Sequence, residues 1–141
     1  MSKDGPIIVI EDDIDDQGIL AEVFKRLNIK NEIVFLSNGD KAIDYLATTT
    51  TNPFIILSDV NMPKINGFEL KEKIRRDEKV ALKYIPYLFF TTGAHKQLVN
   101  DAYALSAQGF FLKPIRITDL ENTIKTIVAY WSLAVAPDEF D

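Results

Sequence analysis

Five short, mostly apolar runs recur along the chain, and each is followed by a stretch whose apolar residues repeat every three or four positions. The runs cover residues 7–10, 32–36, 54–57, 85–90 and 109–112. Uniformly apolar runs of this length are typical of strands that are buried on both faces. Their alternation with helical stretches predicts an α/β fold, in which helices cover both sides of a parallel sheet.

The connections between the strands narrow the topology further. Crossovers between parallel strands in one sheet are almost always right-handed. With five strands, the flavodoxin-like order 2-1-3-4-5 satisfies this rule, and it is the arrangement that we predict.

The length of the chain suits a single domain. With 141 residues, we expect one domain over residues 1–141, with a core from about residue 6 to residue 131. Residues 132–141 form an acidic tail, and we predict that its end, residues 136–141, is unpacked. The charged run Asp77-Glu78-Lys79 is predicted to be a solvated loop before the fourth strand.

The composition excludes several classes of function. The chain has no cysteine, which excludes disulfide frameworks, cysteine-based zinc sites and thiol nucleophiles. Its single histidine, His95, excludes metal sites built from several histidines and is predicted to lie at the start of a helix. The formal charge of −5 disfavours binding to a nucleic-acid backbone. No run approaches the ~20 apolar residues of a membrane span, so we expect a cytoplasmic protein with no nucleic-acid or membrane partner.

Polar residues follow four of the predicted strands where each strand ends. Glu11 and Asp12 follow the first strand and Asp59 the third, while Thr91 follows the fourth and Lys113 the fifth. Ligands bind at the carboxyl ends of the strands in open α/β sheets, so we expect these side chains to meet in one cleft.

The types of residue in this cleft suggest a site for a phosphoryl group. Carboxylates suit Mg²⁺, which commonly joins one or two of them to a phosphate. A lysine and a threonine hydroxyl can bind phosphoryl oxygens. Because aspartate is a known covalent acceptor, the set predicts Mg²⁺-dependent transfer of a phosphoryl group to a carboxylate.

Each residue alone also has a purely structural interpretation. Acidic residues after a strand often cap the next helix, and Asp59 fits a turn. Lys113, which precedes a proline, is commonly a solvated charge, and Thr91 is an ordinary hydroxyl at a strand end. The prediction depends on the joint appearance of these residues at four strand ends.

At these positions the chain resembles the receiver domain of two-component response regulators. The matching segments are IIVIEDD from residue 7, ILSDVNMP from residue 56 with Gly67 after it, FTTG from residue 90 and FFLKP from residue 110. The similarity covers about residues 6–131. It implies a stand-alone, chemotaxis-regulator-like signalling protein, whose only expected enzymatic chemistry is its own phosphorylation and dephosphorylation.

The resemblance implies a metal site and a phosphoacceptor. Asp59 matches the aspartate that accepts the phosphoryl group. Asp12 matches a direct Mg²⁺ ligand, Glu11 matches a ligand that acts through water, and the backbone carbonyl of Asn61 matches the position that completes the site. Lys113 matches the lysine that contacts the phosphoryl group.

The resemblance also implies a conformational switch. Thr91 matches the switch hydroxyl, because it precedes Lys113 by 22 residues, and Thr92 fills the next position, where a small residue is usual. Phe110 matches the switch aromatic, although filling the last strand of the core is the alternative interpretation.

The implied partners are a histidine kinase or histidine phosphotransfer domain and a downstream protein of unknown identity. Asp15, Asp16 and the turn at residues 63–67 are similar to single-domain regulators that accompany phytochrome-type sensor kinases. A homodimer is a further possibility, because Tyr130 lies off the apolar stripe of the last helix, and an exposed aromatic residue there would favour a partner or dimer surface. The main alternative function is an interaction module that keeps the fold without phosphorylation. A phosphatase with an aspartate nucleophile and a flavodoxin are weaker alternatives.

Overall fold

The computed structural model describes residues 1–81 and 83–140. At its centre is a five-stranded parallel sheet in the order 2-1-3-4-5, which confirms the predicted topology. The strands are β1 (Ile7–Ile10), β2 (Ile33–Leu36), β3 (Ile55–Ser58), β4 (Tyr87–Thr91) and β5 (Gly109–Leu112).

Helices connect the strands and cover both faces of the sheet. They are α1 (Ile14–Arg26), α2 (Gly39–Thr48), α3 (Gly67–Arg76), α4 (Glu78–Ala81), α5 (Lys96–Ala104) and α6 (Ile117–Leu133), followed by a 3₁₀ turn at Pro137–Phe140. In the part of the chain that the structure describes, no helix combines the length and the apolar character needed to cross a bilayer.

Alternating strand residues build a separate apolar core on each face. On one face, Val9 and its neighbours pack against α1 and α6. On the other face, Ile8 and Ile10 pack against α2, α3 and α5. Successive side chains of a strand point to opposite faces, which is why the central strands are apolar at every position.

Side-chain caps fix where four of the helices begin. The Asp13 carboxylate accepts hydrogen bonds from the first turn of α1, and Asn38 and Asn66 do the same for α2 and α3. His95 Nδ1 accepts a hydrogen bond from the N–H of Leu98 at the start of α5, as predicted. Of the three acidic residues that follow β1, Asp13 therefore caps the next helix, and Glu11 and Asp12 are the two that the predicted cleft requires.

The charged run before the fourth strand is partly solvated, as predicted, because Glu78 and Lys79 are exposed, but it is not a loop. The Asp77 carboxylate accepts a hydrogen bond from the N–H of Val80, at 3.1 Å, and a short helix, α4, follows Asp77. Val80 is buried against the core that α2 and α3 share. The prediction of a loop was wrong because Val80, the apolar residue directly after the run, docks the segment as a short helix.

The prediction of an unpacked tail was also wrong for residues 136–139, whereas Phe140 is 80% exposed. Ala136 is buried, and the Asp138 carboxylate accepts a hydrogen bond from Asn52 Nδ2 at 2.9 Å. The same carboxylate lies 2.7 Å from the amino group of Met1. The tail thus packs against the opposite end of the chain, and the predicted position Asp141 lies outside the described residues.

Candidate functional site

Three acidic side chains converge at the carboxyl ends of β1 and β3. One carboxylate oxygen each from Glu11, Asp12 and Asp59 lies within 4.8 Å of the other two. The strands bring them together because Ile10 pairs with Ser58 in the sheet, and the N–H of Asp59 donates to the carbonyl of Ile10 at 3.0 Å. The predicted cluster is therefore present, in a geometry that could hold a divalent cation.

Lys113 supplies the positive charge at this cluster. Its Nζ lies 2.6 Å from Glu11 Oε2, 3.6 Å from Asp59 Oδ2 and 3.6 Å from Asp16 Oδ2. The N–H of Lys113 also donates to the carbonyl of Thr91 at 2.7 Å, so that the ends of β4 and β5 deliver their two residues to the same place. The structure thus excludes a solvated position for Lys113.

The burial of this charge cluster shifts its protonation equilibria. Burial raises the pKa of the Glu11 carboxyl to about 7, with Asp59 adding to the rise and Lys113 opposing it. Burial lowers the pKa of the Lys113 ammonium, but the hydrogen bond to Glu11 and the charge of Asp59 outweigh it, so the pKa lies above its usual value. Like charges held this close are relieved by a proton or a cation, and the carboxylate set fits the oxygen ligands that Mg²⁺ prefers.

Thr91 carries a buried hydroxyl without a partner. The residue is 1% exposed, and among the described residues nothing forms a hydrogen bond with its Oγ1. A buried hydroxyl normally finds a partner, so this atom is available to an incoming oxygen. The neighbouring Thr92 is exposed, which favours Thr91 for the predicted role.

Hydrogen bonds hold the start of the loop after β3 in place. The N–H of Val60 donates to Asp59 Oδ1 at 2.7 Å, and the Tyr87 hydroxyl donates to Ser58 Oγ at 2.8 Å. Ser58 Oγ in turn donates to the carbonyl of Asp59 at 2.9 Å. We did not predict this support, because Tyr87 belongs to another strand and only the fold places its hydroxyl under the loop.

Asn61 and Phe110 are the two remaining residues of the predicted site. Asn61 is exposed and lies two residues after Asp59, with its backbone next to the cluster in sequence. Phe110 is partly buried, and its ring centre lies 6.0 Å from that of Phe89. Phe110 therefore contacts the core that α2, α3 and α5 cover, and its role as a switch stays a prediction.

Comparison with known proteins identifies the family. Residues 7–125 match the family model described as "Response regulator receiver domain". The chain belongs to the response regulator receiver domain family. Receiver domains act in two-component signalling, receive a phosphoryl group from histidine kinases and act on downstream targets.

The receiver domain is similar to stand-alone response regulators. It is 30% identical over 129 residues to the probable methanogenesis regulatory protein FilR2 of Methanothrix harundinacea, covering 89% of this chain and 82% of that protein. The structure of the phosphorylated cyanobacterial phytochrome response regulator RcpA superposes with a TM-score of 0.82 at 26% identity, over 94% of this chain and 97% of that one. The Mn²⁺-bound form of Rcp1, from Synechocystis sp., gives a TM-score of 0.78 at 28% identity, over 93% and 96%.

Proposed function

We propose that this receiver domain accepts a phosphoryl group on Asp59 in a Mg²⁺-dependent reaction and thereby switches a protein-binding face. The observation that carries the proposal is the meeting of Glu11, Asp12, Asp59 and Lys113 in one cleft, near the buried hydroxyl of Thr91, which has no hydrogen-bond partner among the described residues. The donor is a phosphohistidine of a histidine kinase or a histidine phosphotransfer domain. In the transfer, the P–N bond of the donor breaks and a P–O bond to an Asp59 carboxylate oxygen forms.

Glu11, Asp12, Asp59 and the backbone carbonyl of Asn61 would hold the Mg²⁺ ion. Bound there, the ion would neutralise charge on the phosphoryl oxygens, and transfer of this kind depends mainly on positioning and electrostatics. Lys113 Nζ, now shared between Glu11 and Asp59, is placed to bind one phosphoryl oxygen. Apart from the formation and hydrolysis of its own aspartyl phosphate, we propose no enzymatic activity.

Thr91 and Phe110 would carry the change to the surface. The Thr91 hydroxyl has no partner to give up, so moving it toward a phosphoryl oxygen breaks no hydrogen bond within the described residues. Phe110 can then occupy the space behind it and bias α5, β5 and α6 toward a second packing. To invert the two populations from 1:99 to 99:1, the phosphoryl group must favour the second packing by about 5.5 kcal/mol.

An exposed apolar surface beside the cleft is suited to the phosphohistidine partner. Ile14 is 79% exposed, and Ile115 is fully exposed. Ile19, Ile115 and Ile117 line one shallow depression together with Lys113. A partner that covers these residues brings its histidine next to Asp59. We propose that this transfer takes place in the cytoplasm. Tyr130, which is 65% exposed, offers a separate apolar surface at which a homodimer could form.

A small phosphodonor tests the proposal without the natural kinase. Purified protein incubated with acetyl phosphate and Mg²⁺ should gain the mass of one phosphoryl group, and chelation of the metal should prevent the gain. Asp59→Asn should fold normally and gain nothing, whereas the exposed control Asp40→Asn should behave like the wild type. An unmodified wild type would favour the interaction module, and an equal gain in Asp59→Asn would assign the acceptor elsewhere.

A further inference from the structure

A second cavity lies at the opposite end of the sheet from the acidic cleft. It measures about 300 Å³ and is lined in part by Pro86 and Gln108, which precede β4 and β5. The acidic residues follow the carboxyl ends of the strands, whereas Pro86 and Gln108 lie at the amino ends. Because all five strands are parallel, the two sites face opposite ends of the molecule and share no lining residue.

The walls of this cavity are mainly apolar. They include Ile74 and Ile85, together with Trp131 and Val135 at or just after the end of α6. A volume of about 300 Å³ is at the lower end of the range of ligand pockets, roughly 300–1,000 Å³. The space therefore suits a compact organic molecule.

A buried lysine lines the same cavity. Lys71 is 8% exposed, and its Nζ lies 5.5 Å from the centre of the Tyr87 ring. Within residues 1–81 and 83–140, no carboxylate lies within ion-pair distance of this ammonium. The adjacent Glu72 is engaged by Arg75 at 2.8 Å and by Arg76 at 2.9 Å.

The environment of the Lys71 ammonium is unusual for a lysine side chain. Lysines are almost never fully buried unless they are paired, and an isolated buried charge is costly. Burial lowers the pKa of Lys71, and the neighbouring charge of Arg75 lowers it further, while the more weakly acting charge of Glu72 opposes the fall. Contact with the face of the Tyr87 ring offsets part of this cost, but a ring face does not supply the negative charge of an ion-pair partner.

We propose that this cavity binds a small carboxylate with a compact apolar body, whose carboxylate pairs with Lys71. The apolar part of the ligand then lies against Ile74, Ile85 and Trp131. A monoanion matches Lys71, the one cation without an ion-pair partner among the described lining residues, since the second charge of a phosphate dianion would be desolvated without a partner. The guanidinium of Arg75 does not change this choice, because Glu72 already holds it in two hydrogen bonds at 3.0 and 2.8 Å.

The lone tryptophan of the chain reports on this cavity directly. Unphosphorylated protein without Mg²⁺ is titrated with phenylacetate, with its neutral analogue phenylacetamide and with acetate, while the emission of Trp131 is followed. Phenylacetate should change the emission saturably. The amide and acetate should each bind at least about tenfold more weakly, since the first lacks the charge and the second lacks the apolar body.

Substitution of the lysine gives an independent readout. Lys71→Met keeps an unbranched apolar side chain and should weaken phenylacetate binding at least about tenfold. Lys73→Met, at an exposed position of the same helix, should leave the affinity unchanged. Amide shifts in two-dimensional NMR should cluster at Ile74, Ile85 and Trp131.

Several results would overturn the proposal. These are equal binding of phenylacetate and phenylacetamide, unchanged affinity in Lys71→Met, or no saturable change with phenylacetate at millimolar concentrations. The comparison of the two probes on the wild type needs no variant, so a misfolded Lys71→Met would not block the test. Because the titration uses neither Mg²⁺ nor a phosphodonor, its outcome is separate from that of phosphorylation at Asp59.

Discussion

Gly67 occupies a position where the loop that carries Asp59 touches the start of α3. A Cβ at Gly67 would lie 2.2 Å from the carbonyl oxygen of Asp59, so Gly67→Ala must push this loop aside. We expect a loss of roughly 1–3 kcal/mol in the free energy of unfolding and slower phosphorylation of Asp59. Gly18 in α1 has open space, and Gly18→Ala should stabilise by about 0.5–1 kcal/mol. Denaturation with urea compares the two variants, and equal effects would contradict this account of the loop.

Lys113 separates metal binding from the response to phosphorylation. Lys113→Ala removes a cation that lies 2.6 Å from Glu11 and 3.6 Å from Asp59. Mg²⁺ should therefore still bind, and more tightly, because a competing positive charge is gone. The changes that phosphorylation induces at Thr91 and Phe110 should disappear. Calorimetric titration with Mg²⁺ and NMR of the phosphorylated protein measure the two effects, with Lys125→Ala in α6 as the control. Loss of Mg²⁺ binding in Lys113→Ala would refute this division of roles.

At the scale of elements, the fold and the site could be predicted from the sequence wherever a local residue pattern and the topology of the sheet act together. The apolar runs at β1 and β3 and the acids directly after them predicted the cleft, since adjacent parallel strands end side by side. Caps such as Asn38 and His95 lie next to the helices that they begin. Contacts between distant segments left no such local pattern. Neither the docking of Val80 nor the support of Asp59 by the Tyr87 hydroxyl follows from neighbouring residues.

The docking of the tail depends on one such distant contact. The Asp138 carboxylate accepts from Asn52 Nδ2 at 2.9 Å and from the Met1 amino group at 2.7 Å. Asp138→Asn should lower the free energy of unfolding by roughly 1 kcal/mol, because the ion pair with the Met1 amino group becomes a hydrogen bond to an uncharged acceptor. Asp4→Asn, at an exposed position, is the matched control. Urea denaturation measures the free energy of unfolding of both variants. Unchanged stability of Asp138→Asn would mean that the tail is not held by this contact.

At the scale of the whole molecule, the acidic cleft links metal binding to stability. A ligand that binds only the folded state stabilises it in proportion to the logarithm of its concentration, by about 2.7 kcal/mol at a hundred times the dissociation constant. Mg²⁺ should therefore raise the melting temperature of the wild type. Asp12→Asn should abolish most of this rise and Asp40→Asn none of it, as differential scanning calorimetry can measure. A rise of the same size in Asp12→Asn would place the ion outside the cluster.

The central claim is that Glu11, Asp12, Thr91 and Lys113 together make Asp59 the acceptor of a phosphoryl group. Reduction of the phosphorylated protein with borohydride converts an aspartyl phosphate to an alcohol, which peptide sequencing by mass spectrometry can locate. We expect one reduced residue, at position 59, formed only when both Mg²⁺ and the phosphodonor were present. A reduced residue at another aspartate, or none in a protein that has gained phosphoryl mass, would contradict it.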